Sequence, residues 1–161
     1  MMKTAAPVLA ALLALGACGE PSSTQTLQTR VTTTLTPANT CNSQASVEYL
    51  PDGARIRLPD TLFLAARSEL TGCGQYAVAS VTQAMLNPSI MQVIVETDDS
   101  GAAGSMLSLR RAETVRSLLT NVGFAPAQPP VVVQPAPTPS QGAVGIVLQV
   151  AASNSQPPTG P

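Results

Sequence analysis

The chain has 161 residues with eight basic against nine acidic side chains, a formal net charge of −1, and neither histidine nor tryptophan. Histidine-based general catalysis and histidine metal ligation are therefore excluded, and no nucleophile with a base, paired-acid cleft or metal cluster takes their place. The reading is a non-enzymatic protein without cofactor or metal; a mildly acidic chain with no basic run also argues against nucleic acid as a partner.

Lys3 supplies a positive start, Ala5 to Leu15 is apolar and uncharged, and Leu15-Gly16-Ala17-Cys18 closes the stretch with small residues before a cysteine. The apolar run is too short to span a bilayer and suits a signal peptide. LGAC resembles the bacterial lipobox, whose cysteine is acylated and becomes the new N-terminus, so residues 1–17 are expected to be removed and Cys18 lipidated. Acyl chains contribute about 0.8 kcal/mol per buried CH₂, which makes a multiply acylated cysteine a stable anchor. Gly19 and Glu20 follow with no aspartate directly after the cysteine, which resembles an outer-membrane sorting signal and implies a periplasm-facing lipoprotein of the outer membrane. Beyond Lys3 every basic residue is arginine, seven in all. With Cys18 assigned to lipid, Cys41 and Cys73 remain, and an oxidising periplasm favours their pairing over two free thiols.

Residues 18–43 are rich in Thr, Ser, Gln, Pro and Asn and nearly uncharged, which predicts a flexible tether. From Ala45 the pattern changes. Val47 and Tyr49, then Ala54-Arg55-Ile56-Arg57-Leu58, alternate around Pro51-Asp52-Gly53 and predict a β-hairpin. Leu62-Phe63-Leu64 leads into Ser68-Glu69-Leu70. Helical spacing runs from about Gly72 to Leu86, with Tyr76, Val78, Val81, Met85 and Leu86 near one face, and Asn87-Pro88 ends it. Ile90 to Glu96 reads as a buried strand. It hands over to a helix, about Ser105 to Asn121, through the acidic turn Thr97-Asp98-Asp99-Ser100-Gly101. That helix is expected to bury Leu107, Val115, Leu118 and Val122, with Gly123 as its C-terminal cap. Val131–Val133 and Gly145–Ala151 supply two more strands, and residues 153–161 a disordered tail. The order β-β-α-β-α-β-β gives an α+β fold, a sandwich with two helices on one face of a mixed sheet.

With these elements laid out, residues 44–152 resemble the OmpA-like peptidoglycan-binding domain. The resemblance is carried by DGARIRLPDTLFLAARSEL (52–70), by Thr97-Asp98 at a strand end, and by LSLRRAETVRSLL (107–119), close to the family's TD…LS..RA pattern. It implies that Asp98 and Arg111 bind the diaminopimelate of the peptidoglycan stem peptide, with Thr97 and Ser108 lining the same site. The chemistry suits them. Diaminopimelate ends in a free amino acid head; a carboxylate can accept from its ammonium and a guanidinium can grip its carboxylate in bidentate fashion. Ser108 is expected to hydrogen-bond near the helix start, Arg110 to be a solvated charge, and Glu96, where the family usually has histidine, either to satisfy local backbone donors or to repel an anionic ligand. The turn before LS is short and lacks the family's asparagine, and Ala143-Val144-Gly145-Ile146 replaces its NRRV. The resemblance implies an outer-membrane lipoprotein that grips peptidoglycan; the alternative is a structural part of an envelope assembly, such as a type IV (Dot/Icm-type) secretion complex, contacting other envelope proteins.

Overall fold

The computed structural model describes residues 22–35, 41, 45–97, 102–121, 129–137 and 143–151. The predicted signal peptide, Cys18, Asp98, Val122, Gly123 and the predicted tail lie outside them. In chain order the elements are α1 (Ser23–Leu35), β1 (Ser46–Leu50), β2 (Gly53–Leu58), a short 3-10 turn (Asp60–Leu62), α2 (Gly72–Met85), β3 (Ile90–Thr97), α3 (Ala102–Asn121), β4 (Val131–Pro135) and β5 (Val144–Val150). The strands form one mixed sheet in the order β1-β2-β5-β3-β4, antiparallel except for the parallel pair β3–β4, which α3 connects. The α+β expectation holds, and among the described residues α1 is a helix the sequence did not lead us to expect.

Strand period sorts the side chains onto two faces. Ala54 pairs with Leu148, which pairs in turn with Val93, and Ile56 with Ile146, which pairs with Val95, so three adjacent strands send aliphatic residues to the same side. That side packs against Leu27, Val31 and Leu35 of α1, Ala77, Val78, Val81, Ala84 and Met85 of α2, and Ala112, Val115 and Leu119 of α3 in one continuous core. Gly74, in the first turn of α2, is needed for this packing: a Cβ there would lie 2.3 Å from the Leu62 carbonyl oxygen. Thr71 caps the same helix, accepting from the Gly74 N–H at 3.1 Å and donating to the Leu62 carbonyl at 3.1 Å.

Three expectations are corrected. The segment read as a flexible tether contains α1, whose Leu27 and Val31 are fully buried and whose Leu35 is nearly so. Its three apolar residues fall at i, i+4 and i+8, so one narrow stripe suffices to seat an otherwise polar helix in a groove offered by α2 and β2. On α2 the inward face is rotated: Tyr76 and Leu86 are exposed and the small residues Ala77 and Ala84 take core positions. On α3, Leu118 is exposed and Leu119 is buried in its place.

Candidate functional site

The register places one end of the sheet. Leu58 pairs with Val144, Gly145 with Glu96, and Thr97 with Pro135, so the 59–62 connection, the end of β3 and the start of β5 lie together. The β1–β2 turn and Val150 lie at the other end, where the Val150 N–H donates to the Asp52 carbonyl at 2.9 Å. Arg111 belongs to the inward stripe of α3, with Ser108 three residues before it and Ala112, Val115 and Leu119 after it. Arg111 is only 3 % exposed, and a charge taken that far from water must be hydrogen-bonded.

Its partners come from the connection between β2 and α2. The Nε–H donates to the Arg67 carbonyl at 2.9 Å, Nη1 donates to Asp60 Oδ1, and the guanidinium carbon lies 4.7 Å from the Phe63 ring centroid. This connection is a small hairpin: Phe63 bridges Leu70, the Leu64 N–H donates to the Glu69 carbonyl at 2.8 Å, and the Arg67 N–H donates back to the Leu64 carbonyl at 2.9 Å. Ala66 sits in that last turn at φ 55, a left-handed conformation that costs an L-residue roughly 1–2 kcal/mol. The turn is what aims the Arg67 carbonyl at Arg111. Asp60 closes the arrangement from outside, its side chain 66 % exposed. A buried guanidinium held from several directions and an exposed carboxylate thus meet at the end of the sheet. Chemically this is a fixed cation beside an anion, an arrangement suited to a zwitterionic group.

Of the predicted site residues, Arg111, Thr97 and Ser108 are all buried, and Thr97 uses its carbonyl to accept from the Ala136 N–H at 2.9 Å. Arg110 is exposed, as a solvated charge should be. Asp98 lies outside the described residues, so its approach to Arg111 is not described. A disulfide joins Cys41 to Cys73 at the start of α2, with the Cα atoms 4.8 Å apart. Asp60, Phe63 and the Arg67 carbonyl were missed from sequence. Their signal was faint but present, since all three fall inside the LPDTLFLAAR stretch that carries the resemblance.

Among the described residues the partner of Glu96 is a side chain, Arg55, which the sequence did not suggest. Glu96 faces away from Arg111, on the sheet side that no described helix covers, and takes Arg55 in bidentate fashion, Nε–Oε2 at 3.0 Å and Nη2–Oε1 at 3.2 Å. Arg55 Nη1 also reaches Glu48 at 3.1 Å, and Arg57 joins Glu48 at 3.4 Å. The Arg55 hydrogen bond holds the Glu48 carboxyl below its ordinary pKa. Burial alone would lower the Arg55 pKa, but its bonds to Glu48 and Glu96 outweigh that and raise it. Gly145 makes the crossing possible: as the register partner of Glu96 it leaves empty the space into which the carboxylate leans, and a Cβ there would sit 2.5 Å from Oε2. Two departures from the family pattern, at 96 and 145, are thus one feature.

Among solved structures, a MotB-like protein from Desulfovibrio vulgaris is similar over 80 % of this chain and 95 % of its own, with a TM-score of 0.58 at 15 % identity. The cell wall anchor of the type VI secretion system from Pseudomonas aeruginosa is similar over 75 % of this chain and 97 % of its own, with a TM-score of 0.54 at 18 % identity. The fold is OmpA-like. No protein-family model matches the sequence, and no curated protein does. At these identities the likeness speaks for the OmpA-like architecture, and the site has to be argued from its own residues.

Proposed function

We propose that this OmpA-like domain binds peptidoglycan non-covalently from a lipid anchor on Cys18 in the outer membrane. Arg111 takes the carboxylate of the diaminopimelate head and Asp98 its ammonium, with Thr97 and Ser108 beside them. No bond is made or broken; the domain recognises and holds. One observation carries the reading: Arg111, the arginine of the LS..RA segment, is set rigidly by the Arg67 carbonyl, Asp60 and the Phe63 ring at the end of β3. A guanidinium already fixed in place loses little rotamer entropy when a carboxylate docks, which favours binding. That one neighbour is a cell wall anchor agrees with the reading.

A second reading has a specific observation behind it. Asp60 already occupies Nη1 of Arg111, so the pair can serve as an internal brace. On that reading the domain is a structural part of an envelope assembly, such as a type IV secretion outer-membrane complex, with a murein site that has decayed. Co-sedimentation of the mature chain with purified diaminopimelate-type peptidoglycan separates the two. Saturable binding that free meso-diaminopimelate displaces, and that Asp98→Asn or Arg111→Lys weakens about tenfold, supports recognition; a tenfold loss is about 1.4 kcal/mol, a modest charged hydrogen bond. A folded wild type that does not sediment leaves the structural reading. Palmitate labelling that depends on Cys18 tests the anchor.

A further inference from the structure

Helix α1 is fastened to the domain at several points. At its start the Thr24 hydroxyl donates to the Pro51 carbonyl at 3.4 Å, in the β1–β2 turn. In its last turn the Thr32 and Tyr49 hydroxyls are hydrogen-bonded. Leu27, Val31 and Leu35 enter the core, and a few residues past its end Cys41 is covalently bound to Cys73. Thirteen helical residues rise about 20 Å, close to the length of the strands beside it. The helix N-terminus lies at the β1–β2 turn, whereas Cys73 follows Thr71, which is bonded to Leu62 in the connection that holds Arg111. The N-terminus of α1 and the Arg111 site are therefore at opposite ends of the domain.

We propose that α1 is a strut that stands the domain on the membrane surface with its Arg111 end turned away from the lipid. The inference rests on the lipid-anchored reading of Cys18. Only Gly19, Glu20, Pro21 and Ser22 separate that cysteine from the helix, a reach of about 17 Å fully extended. A free tether over residues 18–43 would reach about 90 Å. Helix α1 removes most of that freedom and keeps the β1–β2 turn beside the headgroups. The ligand site then faces outward at about 40 Å from the membrane at most, a bound set by the short leash and one domain height. Whatever the site grips must come within that distance, and it is met in one orientation.

The chain has no tryptophan, so a single one introduced at Asp52→Trp (in the β1–β2 turn) or Ala65→Trp (in the Arg111-side hairpin) is an unambiguous donor. Both positions are exposed. With Cys41 and Cys73 bonded to each other, the mature chain can be coupled through the Cys18 thiol to a maleimide phospholipid in vesicles carrying dansylated headgroups. The geometry is thereby tested whether or not the cell acylates Cys18; mass measurement of the native protein tests the anchor separately. Energy transfer several-fold stronger from position 52 than from 65 is expected. Inserting a long Gly/Ser segment between Glu20 and Pro21 should abolish the difference. Equal transfer from the two positions in the uninterrupted chain, stronger transfer from 65, or an asymmetry that survives the insertion each overturns the strut.

Discussion

At the scale of single residues, two arginines are held by opposite means. Arg111 is buried on the helix side and braced by a carbonyl, a carboxylate and a ring. Arg55 lies across the sheet face opposite the described helices and joins strands β1, β2 and β3 through Glu48 and Glu96. Breaking a shielded pair by removing one partner strands the other, which costs about 3–5 kcal/mol in buried cases. Arg55→Leu should therefore lower stability by about 2–3 kcal/mol in urea unfolding, below that range because Glu48 is exposed. Gly145→Ala should cost about 1–3 kcal/mol by driving the Glu96 carboxylate off its seat. In combination with Glu96→Ala much of that cost should vanish, and a double-mutant cycle reads the coupling directly. Strictly additive effects would mean that Gly145 is not there for Glu96. The pH response has a definite sign. Glu48 titrates lower in the folded chain than in the unfolded one, so its share of stability is present above the unfolded carboxylate pKa and lost as pH falls through the folded value. The midpoint of unfolding in Glu48→Gln should therefore depend less on pH across the acidic carboxylate range than in wild type, and equally at neutral pH.

At the scale of elements, α1 separates what the sequence disclosed from what it hid. The hairpin was legible because Pro51-Asp52-Gly53 is strong turn chemistry between alternating residues, and β3 because consecutive β-branched residues end at Pro88 and Thr97. Helix α1 was not, because nothing local commits STQTLQTRVTTTL to a helix: threonine is a poor helix former and only three apolar residues mark a face. Its stability comes from tertiary packing, which a local pattern does not report. The site divided in the same way. Arg111 was found because a sequence motif names it, while Asp60, Phe63 and the Arg67 carbonyl act through a turn whose geometry depends on a left-handed Ala66. Leu27→Ala should lower stability by about 2–5 kcal/mol, the range for emptying a fully buried leucine position, whereas a mobile tether would tolerate it without change. Reducing the Cys41–Cys73 bond, which closes a loop of 32 residues, should release about 3–4 kcal/mol through the unfolded chain, read as a drop in Tm under thiol.

At the scale of the whole molecule, the sheet acts as a spacer with a polarity. One end receives the chain from the proposed anchor, and the other gathers the connection after β2, the end of β3 and Arg111. Two consequences follow for binding. A fragment beginning after residue 43 lacks α1 and Cys41, exposes the groove that Leu27, Val31 and Leu35 fill, and should neither fold stably nor sediment with peptidoglycan; the mature chain should do both. The proposed site should also discriminate between wall chemistries. Peptidoglycan with lysine at the third stem position offers an ammonium but no carboxylate beside it. Asp98 would keep its partner on such a wall and Arg111 would lose one. Because Arg111 is held in a shielded position, the missing charged hydrogen bond should cost about 1.5–3 kcal/mol, or roughly ten- to hundredfold in Kd. Equal binding to the two walls would remove Arg111 from recognition and leave its contacts with Asp60, Phe63 and the Arg67 carbonyl as an internal brace. Preference for the diaminopimelate wall would fix the guanidinium as the reader of the carboxylate.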